Sequence, residues 1–244
     1  MFEGADVQSW TIILFGYNEG DSMDQTIEET LGVARELTDD FEILLVDDGS
    51  TDNTVARSQK WQEGEPRLHV LRHAQNQGIG AALHTGYASA SKENVVALPL
   101  DGQFDPRELL PFAEIRDHQV ISFCRYGRPG YSLYRKGLSH FNRALNSTLL
   151  GLNLNDVNWV KIYKRQDLQS LPLSVQSSLV ESEICAKLTQ TGCQFVEIPS
   201  RYLPRRGGIA RGASPRQLYK TAKETWHLVQ AVKRWRHGTE RVKG

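Results

Sequence analysis

Leu98 to Pro106 reads Leu-Pro-Leu-Asp-Gly-Gln-Phe-Asp-Pro. Its apolar start is the end of a short strand, and Asp101 stands at the carboxyl end of that strand. A turn with Gln103 and a second acid, Asp105, follows. The chain before this turn reads as an αβ half able to hold a nucleotide, and the chain after it as a basic half able to hold an anion. A carboxylate between the two is where chemistry joining a nucleotide to an anionic partner would take place. Polar residues also follow three earlier strand-like runs: Tyr17, Asn18 and Glu19; then Asp47 and Asp48; then Asn76 and Gly78. Four such sets at four strand ends exceed what turns alone require.

The elements that must position these residues are legible in the pattern of apolar positions. Thr11–Phe15, Glu42–Val46, Leu68–Leu71 and Val95–Leu98 are short β-branched or aliphatic runs closed by turn residues, so strands. Between them, Asp24–Thr38 carries Ile27, Leu31, Ala34 and Leu37 at helical spacing; Asp52–Gln62 and Ile79–Ala90 also read as helices. Strand and helix alternating at short intervals predict a parallel sheet with helices on both faces. In such sheets ligands bind beyond the carboxyl ends of the strands. The second half is less regular. Strands are expected at Val120–Phe123, Trp159–Tyr163 and Gln194–Ile198, and helices at 132–149 and Ser182–Thr191. After an Arg- and Gly-rich loop from Arg201 to Gly212, Ser214-Pro215 opens a last helix.

The composition is that of an ordinary globular protein, with 39% hydrophobic and 24% charged residues in 244. No apolar run approaches the roughly 18 to 20 residues of a membrane span, which leads us to expect a cytoplasmic protein that meets a membrane only peripherally. The formal net charge is zero, yet residues 1–120 hold 22 acids against 8 Lys or Arg, and the remainder 7 against 21. That asymmetry predicts a basic surface for phosphate or lipid headgroups. Nucleic acid is not expected, because the basic half lacks aromatics interleaved on a recognisable motif. Cys124, Cys185 and Cys193 lack zinc-like spacing and read as reduced structural thiols.

Four segments, in order, resemble the motifs of glycosyltransferase family 2. They are Gly16-Tyr17-Asn18-Glu19, Val46 to Asp52 (Val-Asp-Asp-Gly-Ser-Thr-Asp), Asn76 to Ala82 with Gly86 beyond, and Asp101 to Pro106. Each motif alone is weak; four at family spacing are specific. Over about residues 10–212 the chain resembles the branch of dolichol-phosphate mannosyltransferases and related polyprenyl-phosphate glycosyltransferases. The resemblance implies an α/β fold of the GT-A, Rossmann-like kind, a mostly parallel sheet flanked by helices. It divides the chain into a domain over 1–212, with a nucleotide half (1–105) and an acceptor half (106–212), and a basic C-terminal amphipathic helix and tail over 213–244. Tyr17, Glu19, Asp47, Asp48 and Gly78 would then line the nucleotide-sugar donor site, the carboxylates accepting hydrogen bonds from base or ribose. Asp101 and Gln103 would offer hard oxygen ligands to Mg²⁺ or Mn²⁺ on the donor diphosphate. Here the chain departs from the family's Asp-x-Asp, because Pro99 stands where the first acid belongs. The metal would then be held more weakly, be completed by donor phosphates, or draw on Asp105.

The same resemblance continues through Cys124-Arg125, Arg135-Lys136-Gly137-Leu138-Ser139, Asp156–Arg165, Glu183–Pro199 and Arg206-Gly207-Gly208. It implies that Arg125, Arg135 and Ser139 hold a lipid phosphate and Arg206 the donor diphosphate, a task suited to the guanidinium fork. A phosphate acceptor is largely ionised at neutral pH and would attack the anomeric carbon with positioning alone. A hydroxyl acceptor would need a base, for which Glu183 and Asp156 are the candidates. The expected reaction is inverting transfer of a hexose, mannose first, from GDP-mannose or a UDP-hexose to a polyprenyl phosphate. The competing expectations are transfer to a glycan or glycolipid hydroxyl and a non-catalytic nucleotide-sugar-binding relative. The last helix, over 214–237, sets Leu218, Ala222, Trp226, Val229, Val232 and Trp235 on one side and Lys220, Lys223, Lys233, Arg234 and Arg236 on the rest. Such a helix can lie on an anionic lipid surface or pack its stripe on the domain.

Overall fold

The computed structural model describes residues 8–126, 143, 146–207 and 224–236. Seven strands form one sheet in the order β3-β2-β1-β4-β6-β5-β7. These are β1 (Trp10–Gly16), β2 (Phe41–Asp47), β3 (Leu68–Arg72), β4 (Asn94–Pro99), β5 (Gln119–Tyr126), β6 (Lys161–Lys164) and β7 (Gln194–Arg201). All neighbours are parallel except β6, which runs antiparallel to both β4 and β5. The expected mostly parallel α/β sheet is therefore present, with its single reversed strand in the second half.

Alternation along the first strands explains why helices cover both faces. Ile12 and Leu14 of β1, Ile43 and Leu45 of β2 and Val96 and Leu98 of β4 join one buried cluster. Ile13, Leu44, Val46, Val95 and Ala97, on the intervening positions, join another. Successive side chains of a strand point to opposite faces, so strands apolar at every position need cover on both. On the first face lies α1 (Met23–Leu37), burying Ile27, Leu31, Ala34 and Leu37, beside a 3-10 turn at Pro106–Phe112 that the periodicity did not suggest. On the second lie α3 (Ile79–Ser89) and α6 (Val180–Thr191). Helix α2 (Thr54–Gly64) links β2 to β3, residues 146–150 are the described run of a helix α4, and α5 (Arg165–Gln169) follows β6.

The last described helix, α7 (224–236), uses its apolar stripe for packing. Leu228, Val229 and Val232 are buried against Leu150, Leu152, Leu154, Val157, Val175, Leu179, Cys185 and Ala186. Helical rotation carries Trp226 off the edge of that stripe, and it is 65% exposed. Of the two expectations for the basic helix, packing on the domain is the one its described part follows, so the Val229 and Val232 side chains are not available to lipid. Leu218 and Ala222, like Arg135 and Ser139, lie outside the described residues. Among the described residues no helix is long and apolar enough to cross a membrane.

Pro99 fits its position in β4 for a plain reason. The Leu100 N–H donates to the Phe15 carbonyl at 3.0 Å, so the amide one residue earlier faces away from β1. On that side β6 pairs with β4 only from Asn94 to Val96. A proline there gives up no ladder hydrogen bond.

Candidate functional site

A cavity of about 490 Å³ opens beyond the carboxyl ends of β1 and β4, between the start of α3 and the segments that lead into β6 and α6. Phe15, Ile79, Ala82, Leu83, Ala97 and Val160 give it apolar walls. The polar groups reaching it include Tyr17, Glu19, Asp48, Asn76, Asp101, Gln103, Arg125, Glu181 and Arg205. Seven of the residues expected in the site therefore line one space: Tyr17, Glu19, Asp48, Gly78, Asp101, Gln103 and Arg125.

Asp48 organises the side of the cavity next to β2 and α3. Its carboxylate is contacted by the His73 ring Nδ1 at 2.7 Å and accepts from Asn76 Nδ2 at 2.9 Å and the backbone N–H groups of Gln77 and Gly78 at 2.9 and 2.7 Å. The end of β2 is thus tied to the loop that starts α3. Gly78 takes φ of +95°, a left-handed backbone that glycine adopts without strain, and a side chain there would meet open space. Two residues on, the requirement is different. A Cβ at Gly80 would lie 2.3 Å from the carbonyl oxygens of Gln176 and Ser177, so only glycine lets α3 approach that segment. Asp47 differs from its neighbour. Its Oδ1 accepts from the Ser50 N–H at 2.9 Å and its Oδ2 lies 3.4 Å from Arg72 Nε. It does not line the cavity, and the expectation of a donor contact is corrected to a turn-forming role, because the strand's alternation turns its side chain away from that of Asp48.

Asp101 is the buried carboxylate at the rim. Its Oδ1 accepts from the Gln103 N–H at 3.0 Å, and its Oδ2 is 3.2 Å from Arg205 Nη1. Burial raises its pKa to about 6 against the lowering by that backbone bond; the adjacent guanidinium is shared with Glu19, and burial prevails. Gln103 donates its amide nitrogen to the Tyr202 hydroxyl at 2.6 Å, which leaves the carbonyl as its acceptor end. Asp105 is corrected: it caps the following 3-10 turn and forms a paired contact with Arg107, outside the cavity wall.

The donor set fits a divalent cation. Glu19 and Asp101, both buried, already share one positive group, Arg205. A carboxylate and an amide carbonyl are hard ligands, and Mg²⁺ is commonly held by one or two carboxylates with substrate phosphates and water completing its shell. A proline at 99 is compatible with that arrangement.

Across the cavity from Asp48, Arg125 at the end of β5 is mounted rigidly. Its Nε and Nη2 donate to the two Asp156 carboxylate oxygens at 2.6 and 2.8 Å, and its guanidinium lies 4.6 Å from the Trp159 ring centroid and 5.6 Å from that of Tyr202. Asp156, a candidate base by sequence, is the carboxylate that holds this arginine.

Two expected residues stand elsewhere. Arg206 pairs with Glu29 of α1 through Nη1 and Nη2, at 2.8 and 3.0 Å, and does not line the cavity. The arginine that does is its neighbour Arg205, drawn in by Glu19 and Asp101. The pair Arg205-Arg206 was visible in the sequence; which of them faces inward was not. Glu183 is also corrected. It is fully buried and accepts from the Ser174 and Val175 N–H groups, from the Ser174 hydroxyl and from Lys187 at 2.7 Å. Burial pushes its pKa up, but these bonds outweigh it and hold the carboxyl below the ordinary range. It fastens the 174–175 loop to α6 and does not line this cavity.

The glutamate that reaches the cavity is Glu181, two positions earlier on α6. It accepts from the hydroxyls of Tyr87 at 2.6 Å and Tyr163 at 2.7 Å and from Lys161 Nζ at 3.2 Å. Lys161 also donates to the carbonyls of Val157 and Trp159 at 2.5 and 3.0 Å. Burial and the Glu181 charge raise both tyrosine pKa values well above normal; burial works against the Lys161 charge, but Glu181 more than offsets it. The result is a neutralised, rigid polar floor. Nothing in the linear spacing of these four residues announced it.

The chain is similar to known proteins in both sequence and fold. Residues 11–172 match the family model described as glycosyl transferase family 2. Among curated proteins, the undecaprenyl-phosphate 4-deoxy-4-formamido-L-arabinose transferase of Yersinia enterocolitica is 27% identical over 176 residues, 70% of this chain and 53% of its own. The transferase of the same name from Sodalis glossinidius is 28% identical over 166 residues, 66% of this chain and 50% of its own. The chain thus spans about half the length of the curated relatives it matches. Among solved structures, glucosyl-3-phosphoglycerate synthase of Mycobacterium tuberculosis, in complex with Mn²⁺, UDP and phosphoglyceric acid, superposes with a TM-score of 0.66. That match is 19% identical and covers 93% of this chain and 78% of the other, a likeness of fold.

Proposed function

The chain belongs to glycosyl transferase family 2, and from that footing we propose that it transfers a sugar from a uridine-diphosphate donor to a polyprenyl phosphate. The observation that carries the proposal is that one cavity is lined at once by Asp101 and Gln103 and by Arg125 and Arg205. Hard oxygen ligands suit a metal-bound diphosphate, and mounted guanidinium groups suit a second phosphate.

In this reading Asp48 and Tyr17 border the nucleoside, with the Asp48 carboxylate keeping the 76–78 loop in place. Asp101 and Gln103 would hold Mg²⁺ or Mn²⁺, whose charge would offset that developing on the leaving nucleoside diphosphate. Arg205, presently between Glu19 and Asp101, is placed to turn to the diphosphate when that charge arrives. Arg125 orients the acceptor phosphate, whose ionised oxygen attacks the anomeric carbon as the bond to the diphosphate breaks. No base is needed for such an acceptor. The two carboxylates that sequence offered as bases are both engaged, Glu183 with Lys187 and Asp156 with Arg125, which favours phosphate over a hydroxyl acceptor. The relatives' printed names carry undecaprenyl phosphate and a formamido-arabinose, and the solved neighbour holds UDP. These favour a uridine donor and a bacterial-type polyprenyl phosphate over the GDP-mannose expectation.

The test is transfer from UDP-sugars to undecaprenyl phosphate in detergent, for the wild type and Asp101→Ala. The variant is expected to lose about 10³-fold in turnover, the several kcal/mol of charge stabilisation a metal supplies. Equal transfer by the two proteins would refute the assignment.

A further inference from the structure

At the opposite end of the sheet from the cavity, three side chains that sequence keeps far apart converge. His118 immediately precedes β5, Cys193 immediately precedes β7, and Asp167 lies in α5, just after the reversed strand β6. One ligand atom from each, the imidazole nitrogen, a carboxylate oxygen and the thiol sulfur, lies within 4.8 Å of the other two. The His118 Nδ1 and Asp167 Oδ1 atoms are 2.8 Å apart. The other carboxylate oxygen, Asp167 Oδ2, is buried and makes no hydrogen bond among the described residues, although Asp167 as a whole is only 8% exposed. A buried carboxylate oxygen without a partner carries a penalty of about 1–3 kcal/mol or more, so its position asks for a cation.

The backbone holds the three together. The Gln194 N–H donates to the His118 carbonyl at 2.8 Å, which fixes the start of β7 beside the start of β5. Residue 118 has φ of +56°, uncommon for a residue with a side chain. Cys193 follows the left-handed cap Gly192, and its N–H bonds back to the Leu188 carbonyl at 3.0 Å, so its side chain is set by the end of α6. Cys193 and Asp167 are buried while the His118 ring is largely exposed, which gives an ion a route in from solvent.

From this arrangement we propose that His118, Asp167 and Cys193 form a zinc site, separate from the donor cavity, that clips β5, α5 and β7 together. Nitrogen, oxygen and sulfur in one set suit a borderline ion such as Zn²⁺ and not the Mg²⁺ or Mn²⁺ suited to Asp101 and Gln103. A thiolate and a carboxylate match its charge, with water in the fourth position. Around a tetrahedral zinc held by one N, one O and one S the ligand atoms stand about 3.3–3.6 Å apart given its usual bond lengths. The His118–Asp167 separation of 2.8 Å is shorter than that and the others are at most 4.8 Å, so the exposed His118 ring would turn slightly to admit the ion.

The experiment uses the full chain, freed of metal by a chelator, with Co²⁺ alone as the spectroscopic probe and Zn²⁺ as competitor. A thiolate-to-cobalt charge-transfer band should appear at one equivalent, be displaced by Zn²⁺, persist in Asp101→Ala and vanish in Cys193→Ser. His118→Asn, which keeps a residue tolerant of left-handed backbone at an exposed position, should weaken Zn²⁺ binding by at least about tenfold and remove the Zn²⁺-dependent rise in Tm. No band, or a band that survives Cys193→Ser and so arises at Cys124 or Cys185, overturns the proposal. It is equally overturned if Zn²⁺ leaves Tm unchanged while His118→Asn lowers it in chelator, the result for a simple His–Asp ion pair.

Discussion

The four parallel strands β3-β2-β1-β4 and the β6-β5-β7 group supply the cavity in different ways. In the first unit the polar residues leave the carboxyl ends of strands and are organised by neighbouring turns. Asn18 accepts from the Thr51 N–H at 2.8 Å, and Asp48 gathers the 76–78 loop. In the second, the charged groups are mounted by partners far along the chain: Arg125 by Asp156, Lys161 by Glu181, and Arg205 by Glu19 and Asp101 across the cleft. The lesson is that an acidic wall can be built from local turns, whereas the cations of the cavity are held in place by carboxylates from elsewhere in the chain. The opposite charges of the two halves are, in part, this division of labour.

The largest expected effect separates a structural carboxylate from a catalytic one. Glu183→Gln leaves Lys187 buried without its ion-pair partner, so a loss of about 3 kcal/mol in unfolding free energy is expected by denaturant titration. Turnover per folded molecule should stay within about twofold. A collapse of turnover at unchanged stability would return Glu183 to the role of base.

Arg205→Ala comes next. It leaves Glu19 and Asp101 without their shared cation and removes a group proposed to meet the diphosphate, so kcat should fall about 10²-fold. Added Mn²⁺ should raise Tm more in this variant than in the wild type, because the ion then relieves both carboxylates. An equal rise in the two proteins would mean that Arg205 does not occupy the cation's place. Arg125→Lys is expected to be milder. Lysine keeps the charge but loses both the fork onto Asp156 and the stacking on Trp159. KM for the lipid phosphate should rise about tenfold with kcat little changed, and a purely donor-side KM effect would break the assignment of halves.

The same contrast explains what the sequence did and did not disclose. Strand-end residues such as Tyr17, Asp48, Asp101 and Gln103 were legible because a parallel αβ unit places them by local pattern alone. The interleaved clusters on the two sheet faces were legible too, from apolar runs such as Glu42–Val46. The 3-10 turn at Pro106–Phe112 was not, since it is fixed by the Asp105 cap and contact with α1 rather than by a helical period. Arg205 against Arg206, and Glu181 against Glu183, are choices between residues one and two positions apart. Long-range partners decide them: Glu29 draws Arg206 outward, and the Ser174 and Val175 amides claim Glu183. The paired residues Asp156 and Arg125 are 31 positions apart, and no spacing rule joins them.

The smallest predicted effect bears on the acidic wall itself. Asp101 has a pKa raised to about 6 from an ordinary 3.8, chiefly by burial, so it binds a proton where an exposed aspartate would not. In the metal-free protein a raised acid pKa means that stability is greatest below the unfolded value and declines as pH rises through about 6. Other carboxylates, Glu183 among them, have lowered values and act in the opposite sense, losing their contribution as pH falls. The affinity for Mn²⁺ isolates Asp101, because metal and proton compete for the same oxygens. Between pH 7 and pH 5 the affinity should fall about tenfold through this one group, as follows from a single competing proton. If the affinity is flat over that interval, the ion does not displace the Asp101 proton, and the carboxylate at the end of β4 is not its ligand.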